Sequence, residues 1–311
     1  MEIKKNDEFE IKITDLGSEG EGIGRFGGMP FFIKGAIPGD TVLAGVTKMK
    51  KTYGYARIVK ILDPSPDRVA PACPIAGRCG GCQLQHMSYA AQMKHKQDKV
   101  LNDLVRIGGI AKDSFVFPAG DEICAAESSK AAADGRISFY PIIGIGEPYH
   151  YRNKGQFPVG TSKDGSIISG FYAGHTHSII DTGSCMLQHP VTDLLMAAVK
   201  EYMREAGVSA YDEEAAAEKG ASRGSADEPG IVRHVLTRVG YRTGEVMVCV
   251  VINAKKLPKE ELLVSKLEEA VLNYNSRIND RAAGTGAADI PAVPEDTSEY
   301  RLASVSLNIN S

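Results

Sequence analysis

No stretch of this 311-residue chain stays apolar for the length a membrane helix needs. The first residues, Met1-Glu2-Ile3-Lys4-Lys5-Asn6-Asp7-Glu8, are charged and contain no apolar leader core. Neither a membrane span nor a secretory leader is expected, and the chain reads as cytoplasmic. A strong basic excess is also missing: 36 Lys and Arg stand against 39 Asp and Glu, a net charge of −3. This excludes a uniformly basic nucleic-acid binder and leaves room for local basic faces. Only six cysteines occur, and in a chain without a leader they are expected as reduced, metal-binding thiols. Tryptophan is absent, from which nothing follows for function. With 43% hydrophobic residues, the chain can still bury one or two cores.

Three of the six cysteines are concentrated in Cys73-Pro74-Ile75-Ala76-Gly77-Arg78-Cys79-Gly80-Gly81-Cys82, a C-x5-C-x2-C pattern. Gly77, Gly80 and Gly81 give the backbone the freedom to wrap around a shared partner. Four thiolates are the usual complement of an iron–sulfur cluster or a structural zinc, and Cys185, in a Gly/Ser turn before a helix, is the candidate fourth. A Cys79–Cys82 disulfide lacks the strand and helix of a thioredoxin-like site. A zinc ribbon would pair two CxxC knuckles, and only one is present. The uneven spacing with a distant fourth ligand suits a cuboidal cluster better. It is not the x3/x2 run of radical-SAM enzymes.

The segment from Cys73 to His86, a long helix after it, Tyr151-Arg152-Asn153-Lys154 and the Cys185 segment together resemble the RNA uracil-5-methyltransferase family. Within it, the likeness is to bacterial 23S rRNA enzymes with an N-terminal TRAM domain and a 4Fe–4S cluster. The resemblance implies Cys73, Cys79, Cys82 and Cys185 as cluster ligands, S-adenosylmethionine as methyl donor and RNA, 23S rRNA first, as partner. It also implies a monomer.

Read in order, the chain is α+β: an N-terminal OB-like β-barrel over 1–63, then a mixed α/β cluster-binding central domain over 64–311. Phe9–Ile13 alternates at period two, Gly17–Arg25 reads as a glycine-rich turn, and Pro38-Gly39-Asp40 as a tight turn. Short strands punctuated this regularly suggest a small barrel. Pro64 and Pro66 mark a linker. Ser88 is expected to cap a helix reaching Ile107, with Ala90, Met93, Gln97, Val100, Leu101, Leu104 and Val105 as its apolar stripe. Further helices are expected over 190–205 and 258–274, a hairpin pairing 231–239 with 245–252, and a last strand over 303–310. Residues 119–136, 209–230 and 281–298 read as insertions too poor in apolar surface to order themselves. Cys124, in the first of them, reads as a bystander.

Candidate RNA contacts fall in three places. Lys48, Lys51 and Arg57, with Lys50, Tyr53 and Tyr55, mix cations with aromatic rings on the barrel. A solvated strand edge guarded by lysines is the competing reading. Tyr151, Arg152 and Lys154 offer a stacking face beside phosphate-binding groups, or else support for the cysteine loop. His234 and Arg238 share a strand parity that Arg233 does not, so they form the consistent pair for an RNA surface on one face, with a solvated sheet face as the competing and favoured reading. His175 and His177 read as surface histidines rather than metal ligands.

In the resembled family a cysteine thiolate attacks C6 of uridine, the methyl passes to C5, and a base removes the C5 proton. None of these parts is found here. No strand–glycine-loop–helix with a ribose-binding acid occurs, and Cys249 lies in an apolar strand that would keep its thiol inert. The expectation is an RNA-recognition portion, inactive alone, of an enzyme whose catalytic domain lies elsewhere. A free-standing RNA-binding iron–sulfur or zinc protein is the alternative.

Overall fold

The computed structural model describes residues 3–118, 135–174, 176–212, 230–282 and 299–310. Most of the three expected insertions, with Cys124 and His175, lies outside these described residues. The chain forms two compact units, Met1–Pro74 with Cys82–Gly146, and Ile75–Gly81 with Glu147–Ser311.

In the first unit, β1 (Glu8–Leu16), β2 (Gly22–Phe26), β3 (Met29–Lys34), β4 (Thr41–Met49) and β5 (Gly54–Asp63) close into a barrel in the order β1-β2-β3-β5-β4. Period-two alternation turns Phe9, Ile11 and Ile13 inward, where they meet Phe31, Ile33, Val42 and Ala44. Part of the expected glycine-rich turn is strand instead: Gly22–Arg25 belongs to β2 and pairs with β3. The reason is steric. A Cβ at Gly24 would stand 2.6 Å from the Lys12 carbonyl oxygen, so glycine here permits close strand packing rather than a bend.

The Pro64–Pro66 segment is tied to the barrel. Buried Asp40 accepts the Ser65 and Ile37 N–H groups, each at 2.9 Å, and the Arg68 guanidinium. Helix α1 (Tyr89–Arg106) starts where expected, with the Ser88 hydroxyl accepting the Ala91 N–H at 3.3 Å. Its expected stripe is corrected: Ala91 is the helix's buried residue, while Ala90 and Val100 face solvent. Ala91 packs with Leu16, Ile37 and Met87 under the barrel. Two short strands, β6 (Phe115–Val116) and β7 (Ile137–Ser138), pair in parallel.

The second unit is a six-stranded sheet with helices. Its strands are β8 (Lys154–Thr161), β9 (Ile167–Tyr172), β10 (Ile179–Asp181), β11 (Val232–Val239), β12 (Glu245–Ile252) and β13 (Arg301–Ile309), in the order β10-β9-β8-β11-β12-β13. All neighbours are antiparallel except β12 and β13. Helices α2 (Val191–Ala206) and α3 (Glu260–Ala282) bury Leu195, Val199, Tyr202, Leu263 and Leu267 against Val235, Val246, Val248 and Val250. Each such side chain contributes about 1.5–3 kcal/mol by leaving water.

Two expected edges move. Helix α3 runs on past Tyr274 to Ala282, through the first residues of one supposed insertion. Residues 209–212 belong to the fold as well, because Ala210 is buried and bridges Val232.

Candidate nucleic-acid interface

On the barrel, Lys48 pairs in register with Tyr55, and Arg57 follows Tyr55 by two residues on the same outward side of β5. Lys48, Lys51, Tyr55 and Arg57 are all exposed. Tyr53 and Phe32 join Tyr55 in a ring cluster with centroids 5.6–5.8 Å apart. Sequence reading missed Phe32. The signal was there: Phe31 and Phe32 are adjacent in one strand, so burying Phe31 at 0% exposure sends its neighbour outward.

In the second unit, the Tyr151–Lys154 segment lies alongside the one that follows Cys185. The His150 and Arg152 N–H groups donate to Met186 and Leu187 carbonyls at 2.8 and 2.9 Å, and Arg152 bridges Gln188. His150, with a φ of 51°, is buried; its Nδ1 stands 2.8 Å from the Gln188 oxygen, and its carbonyl accepts the Tyr241 hydroxyl. This network fixes the backbone while the Tyr151, Arg152 and Lys154 side chains stay exposed. Support and display are thus divided between main chain and side chain.

The sheet carries its buried side chains on the helix-covered face and a mixed set on the other. Register places Arg238 directly opposite Lys154, both exposed, and Leu236 between Gln156 and Cys249. His234 shares this face with Arg238, as parity requires. Arg233 does not join them: the β11–β12 register shifts there, and its guanidinium lies 4.4 Å from the Tyr211 ring centroid. Cys249 is half-buried on the same open face rather than enclosed in the core, which corrects the expected setting of its thiol. A cleft of about 350 Å³ opens beside Arg238, with Asn153, Thr243, Met247 and Ser304 on its walls.

The cysteine loop has its own geometry. Cys79 donates its N–H to the Ile75 carbonyl at 2.8 Å and bridges Ala173, while the Gly80 N–H donates to the Tyr172 carbonyl at 3.0 Å. The Gly81 N–H points to the Cys79 sulfur at 3.4 Å. Cys73, Cys79, Cys82 and Cys185 are all half-buried. Cys73 and Cys82 fall in the first unit, Cys79 and Cys185 in the second. Among the described residues, no group of three or more His, Cys, Asp or Glu side chains is gathered to hold a metal ion.

Four residues after Cys185, His189 sits in a buried polar cluster. The His189 Nε2 is 3.1 Å from the Tyr300 hydroxyl, and Tyr241, Tyr274 and Tyr300 surround the imidazole with centroids 4.9–5.4 Å away. Burial, and then the neighbouring His150, push the His189 pKa down to about 3. Burial raises Asp193 to about 6, against hydrogen bonds from Ser184 and the Cys185 N–H.

The five-stranded barrel is matched by a known domain. Residues 3–59 match the TRAM domain. Beyond the TRAM match, the chain is 37% identical over 278 residues to an uncharacterised RNA methyltransferase of Halalkalibacterium halodurans, covering 89% of this chain and 53% of that protein. It is likewise 37% identical over 282 residues to one of Caldanaerobacter subterraneus, covering 88% and 54%. The chain thus spans about half the length of the curated relatives it matches. Among solved structures, the Pyrococcus abyssi tRNA (uracil-54, C5)-methyltransferase in complex with S-adenosyl-L-homocysteine aligns at 22% identity and a TM-score of 0.48, covering 81% of this chain and 48% of that one. Among the described residues, no helix is long and apolar enough to cross a membrane.

Proposed function

We propose that this chain is the RNA-recognition portion of an S-adenosylmethionine-dependent RNA (uracil-5-)-methyltransferase that acts on 23S rRNA in the cytoplasm as a monomer. The observation that carries the reading is the similarity of nearly nine-tenths of the chain to RNA methyltransferases, with a TRAM match at its start. The barrel over 1–63 contributes Lys48, Lys51 and Arg57. The central domain over 64–311 contributes Tyr151, Arg152, Lys154, His234 and Arg238. The cations meet phosphates and the rings meet unpaired bases, a division of labour suited to looped RNA.

A 4Fe–4S cluster held by Cys73, Cys79, Cys82 and Cys185 belongs to the same proposal. Its support is the four-thiol donor set, the uneven spacing and the N–H directed at the Cys79 sulfur. The cluster would cross-link distant segments, and nothing in uracil methylation draws electrons from it. Methyl transfer belongs to the whole protein, because uracil methylation needs a thiolate nucleophile and a base beside it, and this chain's own share is to bind and orient RNA.

Deleting the gene and mapping 5-methyluridine in 23S rRNA by mass spectrometry tests the reading. One methylated uridine should disappear and return on complementation. The purified 311-residue chain should bind RNA without transferring labelled methyl groups. An unchanged methylation map, or turnover by this chain alone, defeats the proposal.

A further inference from the structure

We propose that Tyr172 is a stacking site for one unpaired RNA base, held in place from behind by the cysteine loop. The inference rests on the RNA reading above and adds a contact to it.

Tyr172 is the last residue of β9. Its neighbour Phe171 packs against the core, so alternation turns the Tyr172 ring to the opposite face of the sheet. There it is 37% exposed. The His177 ring lies beside it at 5.7 Å, and its hydroxyl is 3.4 Å from His234 Nε2 on β11. One aromatic and two imidazole rings therefore gather at one end of the face. Lys154 and Arg238, opposite each other in register, stand at the other end. His234 and Arg238 are four residues apart on one strand, about 13 Å. Rings at one end and cations at the other match an unpaired base flanked by its backbone phosphates.

A single exposed tyrosine is ordinary; its anchoring is not. The Tyr172 carbonyl accepts the Gly80 N–H at 3.0 Å, and the next residue, Ala173, bridges Cys79. A Cβ at Gly80 would lie 2.9 Å from that carbonyl oxygen, so the seam requires glycine. The loop between Cys79 and Cys82 thus fixes the backbone under the ring, and a ring ordered in advance loses less freedom on binding.

The chain contains no tryptophan, so Y172W introduces a single indole at this site. Fluorescence of Y172W and anisotropy of a labelled oligouridine are read in the same titration. Binding should quench the indole, and Y172W should bind at least as well as wild type. Y172A should bind about tenfold more weakly, with an unchanged thermal midpoint, and Y172F should restore affinity. Duplex RNA should bind without quenching. If oligouridine binds while the indole stays bright and Y172A matches wild type, Tyr172 is not a stacking site. If wild type binds no RNA at all, the RNA reading falls and this site falls with it.

Discussion

Asp40, fully buried in the connection between β3 and β4, is paired with Arg68, which lies beyond the last barrel strand. The carboxylate also accepts the Ile37 and Ser65 N–H groups. Burial alone would raise its pKa; the hydrogen bonds from Arg68, Ser65 and Ile37 outweigh burial and hold it below the ordinary value. D40A should therefore destabilise the first unit by about 3 kcal/mol, since it strands a partly buried guanidinium. The carboxylate's contribution is present above its unfolded pKa and is lost as pH falls through the folded one. Chemical denaturation of D40A and wild type at neutral and acidic pH checks both the size and the direction.

His189 predicts a second pH effect. Its folded pKa of about 3 lies well below the ordinary 6.5, so between these values the unfolded chain binds the proton and the folded chain does not. Stability should rise with pH across that window, by roughly 5 kcal/mol in all. Asp193, raised to about 6, acts in the opposite sense, losing stability as pH climbs from its ordinary 3.8. Comparing H189Q with wild type isolates the imidazole: the variant should have a flatter stability–pH curve on the acid side. Parallel curves would show that His189 is not the titrating group.

Iron content decides the cysteine proposal. After anaerobic reconstitution, C79S and C185S should each lose most of the iron and sulfide that wild type takes up, while C249S keeps it. Zinc in place of iron would be seen by metal analysis and by the lack of visible colour, because its filled d shell has no such absorption. Full iron loading of C185S would remove Cys185 from the ligand set.

The paired cations on the open sheet face should act through phosphates. Replacing Lys154 and Arg238 together by alanine should lower the slope of log affinity against log salt by about two. The loss should be similar for RNAs of different sequence. Titrations at several salt concentrations measure it, and an unchanged slope would place the phosphate contacts elsewhere.

Gly80 tests the seam between loop and sheet. In G80A the added methyl has backbone on both sides, 2.9 Å from the Tyr172 oxygen and 3.0 Å from the Gly174 nitrogen. Faster amide hydrogen exchange at Tyr172–Gly174 is expected, with the barrel unaffected. Unchanged exchange would mean that the chain absorbs the methyl without opening the seam.

Local chemistry is what the sequence by itself determined. Alternation fixed β1 and the β11–β12 hairpin, Ser88 fixed the start of α1, and strand parity separated Arg233 from His234 and Arg238. The three cysteines and their glycines were equally plain, since a pattern within ten residues needs no fold to be seen. Tertiary structure decided everything that depends on a distant neighbour. It made Gly24 a point of close strand packing, put Phe32 among the tyrosines, extended α3 past Tyr274 and buried Ala210. It also put Tyr172, about ninety residues after Gly80, in its backbone hydrogen bond. The reason is that burial and pairing belong to two partners at once, whereas propensity belongs to one segment alone.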